Sequence, residues 1–334
     1  MLCPGGKTEV KVNSNTSEFG PNAFYGCAKL RTVLFGAKPI LDTISNSAFF
    51  ECTSLAQIEL PGSLRKIGTG AFEECTALSS VIFLSGASLE TIDSKLLNGC
   101  NKLSTLFFEE GASLGSLGPS ALEGMAELKN VSLPSSTSSI GSRAFYGCSS
   151  LSNFTIPPSI ASVSDYLFYN CTSLKAVDCS NVEAIGEYSF FGCWSLTTIT
   201  DSPNRTLPFK SVGASAFRNS GLNAHYILSQ TIMISDGAFL GTSIPAVEYC
   251  GSAVPFVSGE SASVFNSNTL GIVSPSYPGL TFGGALFYRG LTKECTLIPP
   301  SQTATSGFTG SVATSPSSVL IASIIIDEKN SVDI

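Results

Sequence analysis

The sequence is an array of related units, and this repetition limits the folds that it can adopt. The segment Ile140 to Ile156, IGSRAFYGCSSLSNFTI, recurs in looser form along most of the chain. Each unit has one aromatic or leucine anchor, and successive anchors are 22 to 27 residues apart. Fixed periods of this length are typical of solenoids, in which each unit stacks on the next. The anchors are Phe24, Phe49, Phe72, Leu97, Leu122, Phe145, Phe168, Phe190, Phe217, Phe239 and, with a weaker flanking pattern, Phe265 and Phe287.

Other positions keep a fixed distance from the anchor. The fourth residue before it is glycine, serine or aspartate, the third after it is usually cysteine, and the sixth after it is usually leucine. A glycine before the anchor allows a positive φ, so we expect a tight bend there. Serine or aspartate at the same place can instead cap the turn through a side-chain oxygen.

The spacing of apolar residues changes within each unit. Phe145, Cys148 and Leu151 are three residues apart, which is typical of one face of a short 3₁₀ or α turn. Phe154 and Ile156 then alternate, which is typical of a strand. No unit can bury its apolar face alone, so neighbours must share a core. The sequence therefore predicts an α/β solenoid of about eleven units, with a parallel sheet on one face and short helical or 3₁₀ turns.

The ends of the chain depart from the repeat. Residues 1–18 are interpreted as a partial N-terminal repeat or cap, 19–292 as the repeats, and 293–334 as a degenerate C-terminal cap or tail. The first residues lack the apolar stretch of a secretory peptide and begin within the strand of a repeat, which favours a fragment. The apolar run at 319–326 is too short to span a bilayer.

The full pattern resembles a known family. The segments SLRKIGTGAFEECTALSSVIF and SIASVSDYLFYNCTSLKAVDC are similar to the BspA-like, or treponemal-type, leucine-rich repeats of surface proteins in anaerobic bacteria and parasitic protists. The resemblance covers about residues 19–298, and departures such as Met125 in the cysteine position replace one apolar filler by another. It implies a curved leucine-rich repeat array at the cell surface or outside the cell, used for adhesion or for binding host or matrix proteins. A cytoplasmic location is the alternative.

Charge and motifs exclude several functions. Only 13% of residues are charged and the net charge of −7 is spread along the chain, which disfavours nucleic acid and anionic lipid as partners. Phosphate-binding and dinucleotide fingerprints are absent, and we expect no cofactor. The single histidine, His225, is placed at an inward strand position and is the one candidate for a hydrolase, without a nucleophile elbow beside it. We expect no enzyme and no catalytic residue.

The cysteines are interpreted as core filler, because cysteine is often buried as a small apolar residue. A disulfide framework is the rival, although stacked side chains rarely offer its geometry and the total of 11 cysteines is odd. Zinc is less favoured, because no CxxC pair exists. Reduced thiols would suit a cytosol or an oxygen-free surface. The predicted column is Cys27, Cys52, Cys75, Cys100, Cys148, Cys171 and Cys193.

Binding specificity is expected on the exposed face of the sheet, between the inward strand residues. The candidates there are mostly small and polar, but three are apolar, and we expect a protein-binding patch around them. The alternative is that these apolar residues have no binding role, because single exposed apolar side chains are common on protein surfaces. A structural spacer that carries another domain is the alternative function. The candidate face residues are Leu34, Glu59, Ile82, Phe107, Asn130, Asn153, Asp178, Tyr226 and Glu248. Asn204 is the most plausible glycan acceptor among five N-x-S/T sites.

Overall fold

The structure is a computed structural model of the 334-residue chain. It describes residues 6–199, 206–228, 233–250, 263–274, 277 and 282–289. The tail at 293–334, the apolar run at 319–326 and the sequon at Asn204 lie outside these residues.

The described residues form a β-solenoid with two walls of parallel strands. The front wall holds the first strand of each unit, and the back wall holds the second, which is two residues long in most units. The front strands are β1 (Glu9–Val12), β3 (Thr32–Phe35), β5 (Gln57–Leu60), β7 (Ser80–Phe83), β9 (Thr105–Phe108), β11 (Asn130–Ser132), β13 (Asn153–Thr155), β15 (Ala176–Asp178), β17 (Thr206–Leu207), β19 (Tyr226–Leu228), β21 (Ala246–Tyr249), β22 (Leu270–Val273) and β23 (Leu286–Arg289). The back strands are β2 (Glu18–Phe19), β4 (Thr43–Ile44), β6 (Lys66–Ile67), β8 (Ser88–Ile92), β10 (Ser113–Leu117), β12 (Ser139–Ile140), β14 (Ser162–Val163), β16 (Ala184–Ile185), β18 (Ser211–Val212) and β20 (Met233–Ile234).

Each strand pairs with its counterpart in a neighbouring unit, and all the pairings between these strands are parallel. In the front wall β5, β7, β9 and β11 form one continuous ladder, and β17, β19, β21, β22 and β23 form another. The sequence therefore predicted the repeating parallel sheet correctly. It did not predict that the return side of each unit is also a strand, because most back strands have only two residues and give too short an alternation to recognise.

The prediction of helical or 3₁₀ turns is wrong, because the described residues contain no helix. At the anchor Phe145, every second amide bonds to the next unit: Phe145 N–H donates to the carbonyl of Leu167 at 3.0 Å. The amides between them close local turns, as Tyr146 N–H does to Arg143 at 3.0 Å. Arg143 and Gly147, two residues either side of the anchor, have positive φ. A 3₁₀ helix requires successive local bonds and right-handed residues, so it cannot form here.

These turns make a third side of the solenoid, which we call the turn edge. It is hydrogen-bonded from unit to unit like the two walls, so amides on all three sides are paired. The buried core lies inside the three sides and runs through the described units without interruption.

The anchors form an aromatic stack inside the turn edge. Phe145, Phe168 and Phe190 are buried, with ring centroids 5.4 and 5.3 Å apart in stacked pairs. Such pairs add about 0.5–1.5 kcal/mol beyond the burial of their area. The prediction of Phe287 as the last anchor is wrong, because Phe287 lies in β23 opposite Gly271. Phe282 stacks on Phe265 instead, with ring centroids 5.7 Å apart.

The predicted reason for glycine before the anchor is also wrong. Gly68, Gly186 and Gly213 do not have positive φ. A Cβ atom on Gly213 would lie 2.6 Å from the backbone nitrogen of Glu187 in the preceding unit. Glycine is therefore needed for the close approach of successive units and not for a bend.

The cysteine column is buried, as expected, but its chemistry differs at one end. Cys52, Cys75, Cys100, Cys148, Cys171 and Cys193 are free thiols, and so is Cys179 outside the column. Cys27 is buried but disulfide-bonded, and Cys250 is also disulfide-bonded. The interpretation as thiol filler is therefore wrong for Cys27.

Candidate protein-binding surface

The outer face of the front wall carries the apolar residues that the sequence singled out. Along β5 the burial alternates, so that Ile58 and Leu60 enter the core and Glu59 faces solvent. The same alternation exposes Phe107 on β9 and partly exposes Ile82 on β7. Strand alternation alone thus decides which side chains are available to a partner.

The strand register places three of these residues in a row. Glu59 lies opposite Ile82, and Ile82 lies opposite Phe107, in the pairings of β5, β7 and β9. Neighbouring strands are about 4.8 Å apart, so adjacent side chains of this row can touch one partner together. We call Leu34, Glu59, Ile82 and Phe107 the front patch. Leu34 and Phe107 are each 42% exposed.

The front patch has little charge. Leu34 lies opposite Lys11 in the β1–β3 pairing. Lys11 is paired with Glu9 at 3.9 Å, and both side chains are well exposed. Exposed ion pairs of this kind contribute about 0–1 kcal/mol. The main favourable interaction that the patch offers is therefore burial of apolar area.

The other candidates extend the same face along the front wall. Asn130 and Asn153 are exposed, while Asp178 and Glu248 are half-buried. Asp178 lies opposite Thr155 in the β13–β15 pairing, beyond the end of the front patch. These residues share a face but do not converge on one point.

Tyr226 does not belong to this face. It is 3% exposed and lies opposite the inward Val247, and its neighbour Ile227 faces outward opposite Glu248. The prediction is wrong because one more residue separates Leu222 from the strand than in other units. A shift of one residue moves every side chain of a strand to the other face.

The same shift corrects the placement of His225. It was expected to point inward, but it is exposed. Among the described residues, no group of three or more His, Cys, Asp or Glu side chains is placed to hold a metal ion. The described part of the chain also contains no helix that is long and apolar enough to cross a membrane.

The sequence reasoning missed an aromatic surface on the turn edge. The rings of Tyr146, Tyr169 and Phe191 are stacked, with centroids 4.7 and 4.9 Å apart. Tyr166 and Tyr188 form a second stack at 5.0 Å beside the first. All five side chains are half-buried, and we call them the aromatic ledge. Their sequence signal was an aromatic residue at a fixed distance from the anchor in successive units.

The repeat sequence also matches a known protein family. The model of the BspA type leucine rich repeat region, which holds six copies, matches residues 6–125 and again residues 115–245. The chain belongs to the BspA-type leucine-rich repeat family. A search of the curated proteins found no match.

Several solved structures of leucine-rich repeat proteins are similar. A leucine-rich repeat protein from Bacteroides ovatus is 21% identical with a TM-score of 0.51, over 84% of this chain and 83% of that one. The T. pallidum leucine rich repeat protein is 27% identical with a TM-score of 0.44, over 57% and 79%. A leucine rich cell surface protein from Faecalibacterium prausnitzii is 22% identical with a TM-score of 0.42, over 76% and 80%. The Bacteroides ovatus structure has the same fold as this chain.

Proposed function

We propose that this BspA-type repeat protein is a non-enzymatic module that binds a protein ligand, and that the front patch is its contact surface. The observation that carries the proposal is the row of Ile82 and Phe107 on adjacent strands, with Leu34 exposed on the same face. Exposed apolar residues that cluster on one face are a recognised mark of a protein-interaction site.

The rigidity of the front wall supports this role. The outer side chains of β5, β7 and β9 project from a ladder whose inner residues are buried, so their spacing is fixed before a ligand arrives. Association then requires little ordering of the backbone, and ordering is one of the main costs of binding. Glu59 at the edge of the patch adds one charge that can select among partners.

We further propose that the module acts at the cell surface or outside the cell, on host or matrix proteins. The family resemblance favours this location, and so do the disulfide bonds of Cys27 and Cys250. Disulfides persist in oxidising compartments and are rare in the cytosol. Alkylation of the protein in its native cells, before lysis and without reduction, tests the location. Recovery of Cys27 as an alkylated thiol would contradict it.

Binding to a panel of purified collagen, laminin and fibronectin tests the contact surface. The triple variant Leu34→Ser, Ile82→Ser, Phe107→Ser should lose binding to any panel member that the parent protein binds, by about tenfold or more. All three side chains lie on the outer face, although Ile82 is half-buried, so the fold should be retained with at most a modest fall in the melting temperature.

A matched control removes exposed apolar residues elsewhere. Ile40 and Trp194 are 52% and 69% exposed and lie outside the front patch. The variant Ile40→Ser, Trp194→Ser should bind like the parent protein. Undiminished binding by the triple variant would exclude the front patch. A parent protein that binds no panel member would favour the structural spacer.

A further inference from the structure

The aromatic ledge lies outside the buried anchors, and the core does not need its rings for packing. The anchors beneath it already fill the core, and they are fully buried. In contrast, Tyr146, Tyr166, Tyr169 and Tyr188 keep part of their rings in solvent. Among the described residues, the hydroxyl groups of these four tyrosines have no hydrogen-bond partner. The ledge therefore presents to solvent both apolar ring edges and tyrosine hydroxyl groups that are available for hydrogen bonds.

The two stacks of the ledge hold each other in place. Tyr166 packs 5.8 Å from Tyr169, and Tyr188 packs 5.8 Å from Phe191. Burial and the neighbouring tyrosines raise the pKa of Tyr169. A tyrosine hydroxyl is protonated at neutral pH even without this shift, so it can donate a hydrogen bond to a partner. A partner that contacts the ledge would order few additional side chains, which reduces the cost of binding.

An open groove lies beside the ledge on the back wall. It has a volume of about 470 Å³ and is lined mainly by small residues of β14, β16 and β18, including Ser162, Ala184 and Ser211. Asp165 and Glu187 also line it, and each directly precedes a ledge tyrosine in the chain. The groove and the ledge are therefore neighbouring parts of one surface, with carboxylates between them.

The carboxylates are available to an outside partner. Asp165 and Glu187 are exposed, and within the described part of the chain neither belongs to a salt bridge. Asp165 accepts a hydrogen bond from the backbone amide of Glu187 at 2.8 Å, which fixes its position. Within the described part of the chain, the carboxylate of Glu187 has no hydrogen-bond partner of its own. Exposed negative charges beside a groove attract cationic side chains.

The ledge already holds one such side chain from its own chain. The guanidinium group of Arg143 lies 4.4 Å from the ring centre of Tyr146 and forms a hydrogen bond of 2.7 Å with Glu123. That hydrogen bond lowers the pKa of Glu123 below its ordinary value. A guanidinium group is thus bound between a carboxylate and a tyrosine at one end of the ledge. In the next two units Tyr166 and Tyr188 occupy the position of Arg143, two residues before the anchor, and Asp165 and Glu187 place a carboxylate directly before each of them.

We propose that the aromatic ledge and its groove form a second binding surface, which docks an extended, arginine-rich segment of a protein partner. The aliphatic stems of the partner's side chains would lie in the groove, and their guanidinium groups would reach Asp165, Glu187 and the tyrosines. Arginine suits this surface better than lysine, because its planar group stacks on aromatic rings and donates in pairs to carboxylates. This surface lies on the back wall and turn edge, so it does not depend on the front patch.

Fluorescence anisotropy with a labelled peptide of alternating arginine and serine tests the proposal on the full chain. The peptide should bind, and a peptide of alternating glutamate and serine should not. The variant Asp165→Asn, Glu187→Gln should weaken binding by about fivefold or more, because two charge-assisted contacts are lost. The asparagine can still accept the amide hydrogen bond, so the fold should be retained.

Two controls separate this surface from general attraction of charge. The variant Glu90→Gln, Glu110→Gln makes the same change in net charge at exposed positions outside the groove. It should bind like the parent protein. The variant Tyr166→Ala, Tyr188→Ala should also weaken binding, and a lysine peptide should bind less tightly than the arginine peptide.

Three results would overturn the proposal. They are failure of the arginine peptide to bind the parent protein, equal losses in the two charge variants, and preferential binding of neutral oligosaccharides at the ledge. The front-patch variant with Leu34→Ser, Ile82→Ser and Phe107→Ser should bind the peptide normally. The two proposed surfaces can therefore fail independently.

Discussion

The thiol of Cys148 donates a hydrogen bond of 3.2 Å to the backbone carbonyl of Leu122, the anchor of the preceding unit. The same relationship joins Cys171 to Phe145 at 3.1 Å and Cys193 to Phe168 at 3.0 Å. Each of these carbonyls also accepts the amide of the residue three positions later in its own unit. Cysteine therefore links one unit to the next while it fills the core, whereas alanine is smaller and has no donor for this hydrogen bond.

We expect Cys148→Ala to destabilise the solenoid by about 1–3 kcal/mol, because a weak hydrogen bond and buried volume are both lost. Urea unfolding followed by circular dichroism measures this change. Ser149→Ala, at the neighbouring half-buried position, is the control and should change the free energy of unfolding by less than about 0.5 kcal/mol. Equal effects of the two substitutions would contradict a role of the thiol in stability, both as core filler and as a link between units.

In a later unit serine replaces the column cysteine, and restoring cysteine there should increase the free energy of unfolding. Ser220 is buried, and its hydroxyl has no hydrogen-bond partner in the structure. A sulfur atom there is expected to bond the carbonyl of Phe190, as the other column thiols bond their preceding anchors. Ser220→Cys should therefore stabilise the chain by about 1 kcal/mol, since it removes an unsatisfied buried hydroxyl. A fall in the urea midpoint after this substitution would contradict the assignment.

The repeat could be predicted from the sequence, whereas the way in which units bond to one another could not. The positions of Phe145, Cys148 and Leu151 follow from burial, and burial leaves a periodic apolar pattern. The bond from Phe145 N–H to Leu167 uses backbone atoms alone, so no side chain signals it. This is why a local 3₁₀ turn was expected where the structure has a ladder between units.

The candidate surface was predictable only where the alternation of a strand continues undisturbed. Leu34 and Phe107 follow a regular count from their units, and both are exposed. Between Leu222 and the strand that contains Tyr226 there is one residue more than in other units. A shift of one residue turns a strand side chain from the outer face to the core, and Tyr226 is therefore buried. The aromatic ledge was missed because its residues lie outside the strand alternation, although Tyr146, Tyr169 and Phe191 each follow an anchor by one residue and could have been found by comparing the units.

Stability should fall at alkaline pH because the column thiols are buried. Burial raises the pKa of Cys100 and of Cys148 from the ordinary value of 9.0 to about 12. The unfolded chain then loses these protons first, so the stabilising contribution is complete below about pH 9 and is lost as the pH rises toward 12. Each thiol contributes a slope of about 1.4 kcal/mol per pH unit in this range.

Urea unfolding at several values between pH 8 and pH 11 should show this decline, and the variant Cys100→Ala, Cys148→Ala should show a shallower one. Alkylation in urea without reduction provides a second check. It should label Cys52 and Cys148 and leave Cys27 and Cys250 unlabelled. A stability that is independent of pH in this range would contradict the burial of the thiols.

Close approach of successive units gives a prediction for glycine. Gly213→Ala would place a Cβ atom 2.6 Å from the nitrogen of Glu187 and 2.8 Å from the carbonyl carbon of Gly186, both of them backbone atoms. The units must then separate locally, and we expect a loss of about 1–3 kcal/mol in the free energy of unfolding.

Gly20 occupies the same position in the first unit, where an added Cβ would meet no atom within 4 Å. Gly20→Ala should therefore leave stability unchanged or raise it by up to about 1 kcal/mol, because alanine reduces the freedom of the unfolded chain. Thermal unfolding of both variants measures the difference, and equal melting temperatures would contradict the role of glycine as a spacer between units.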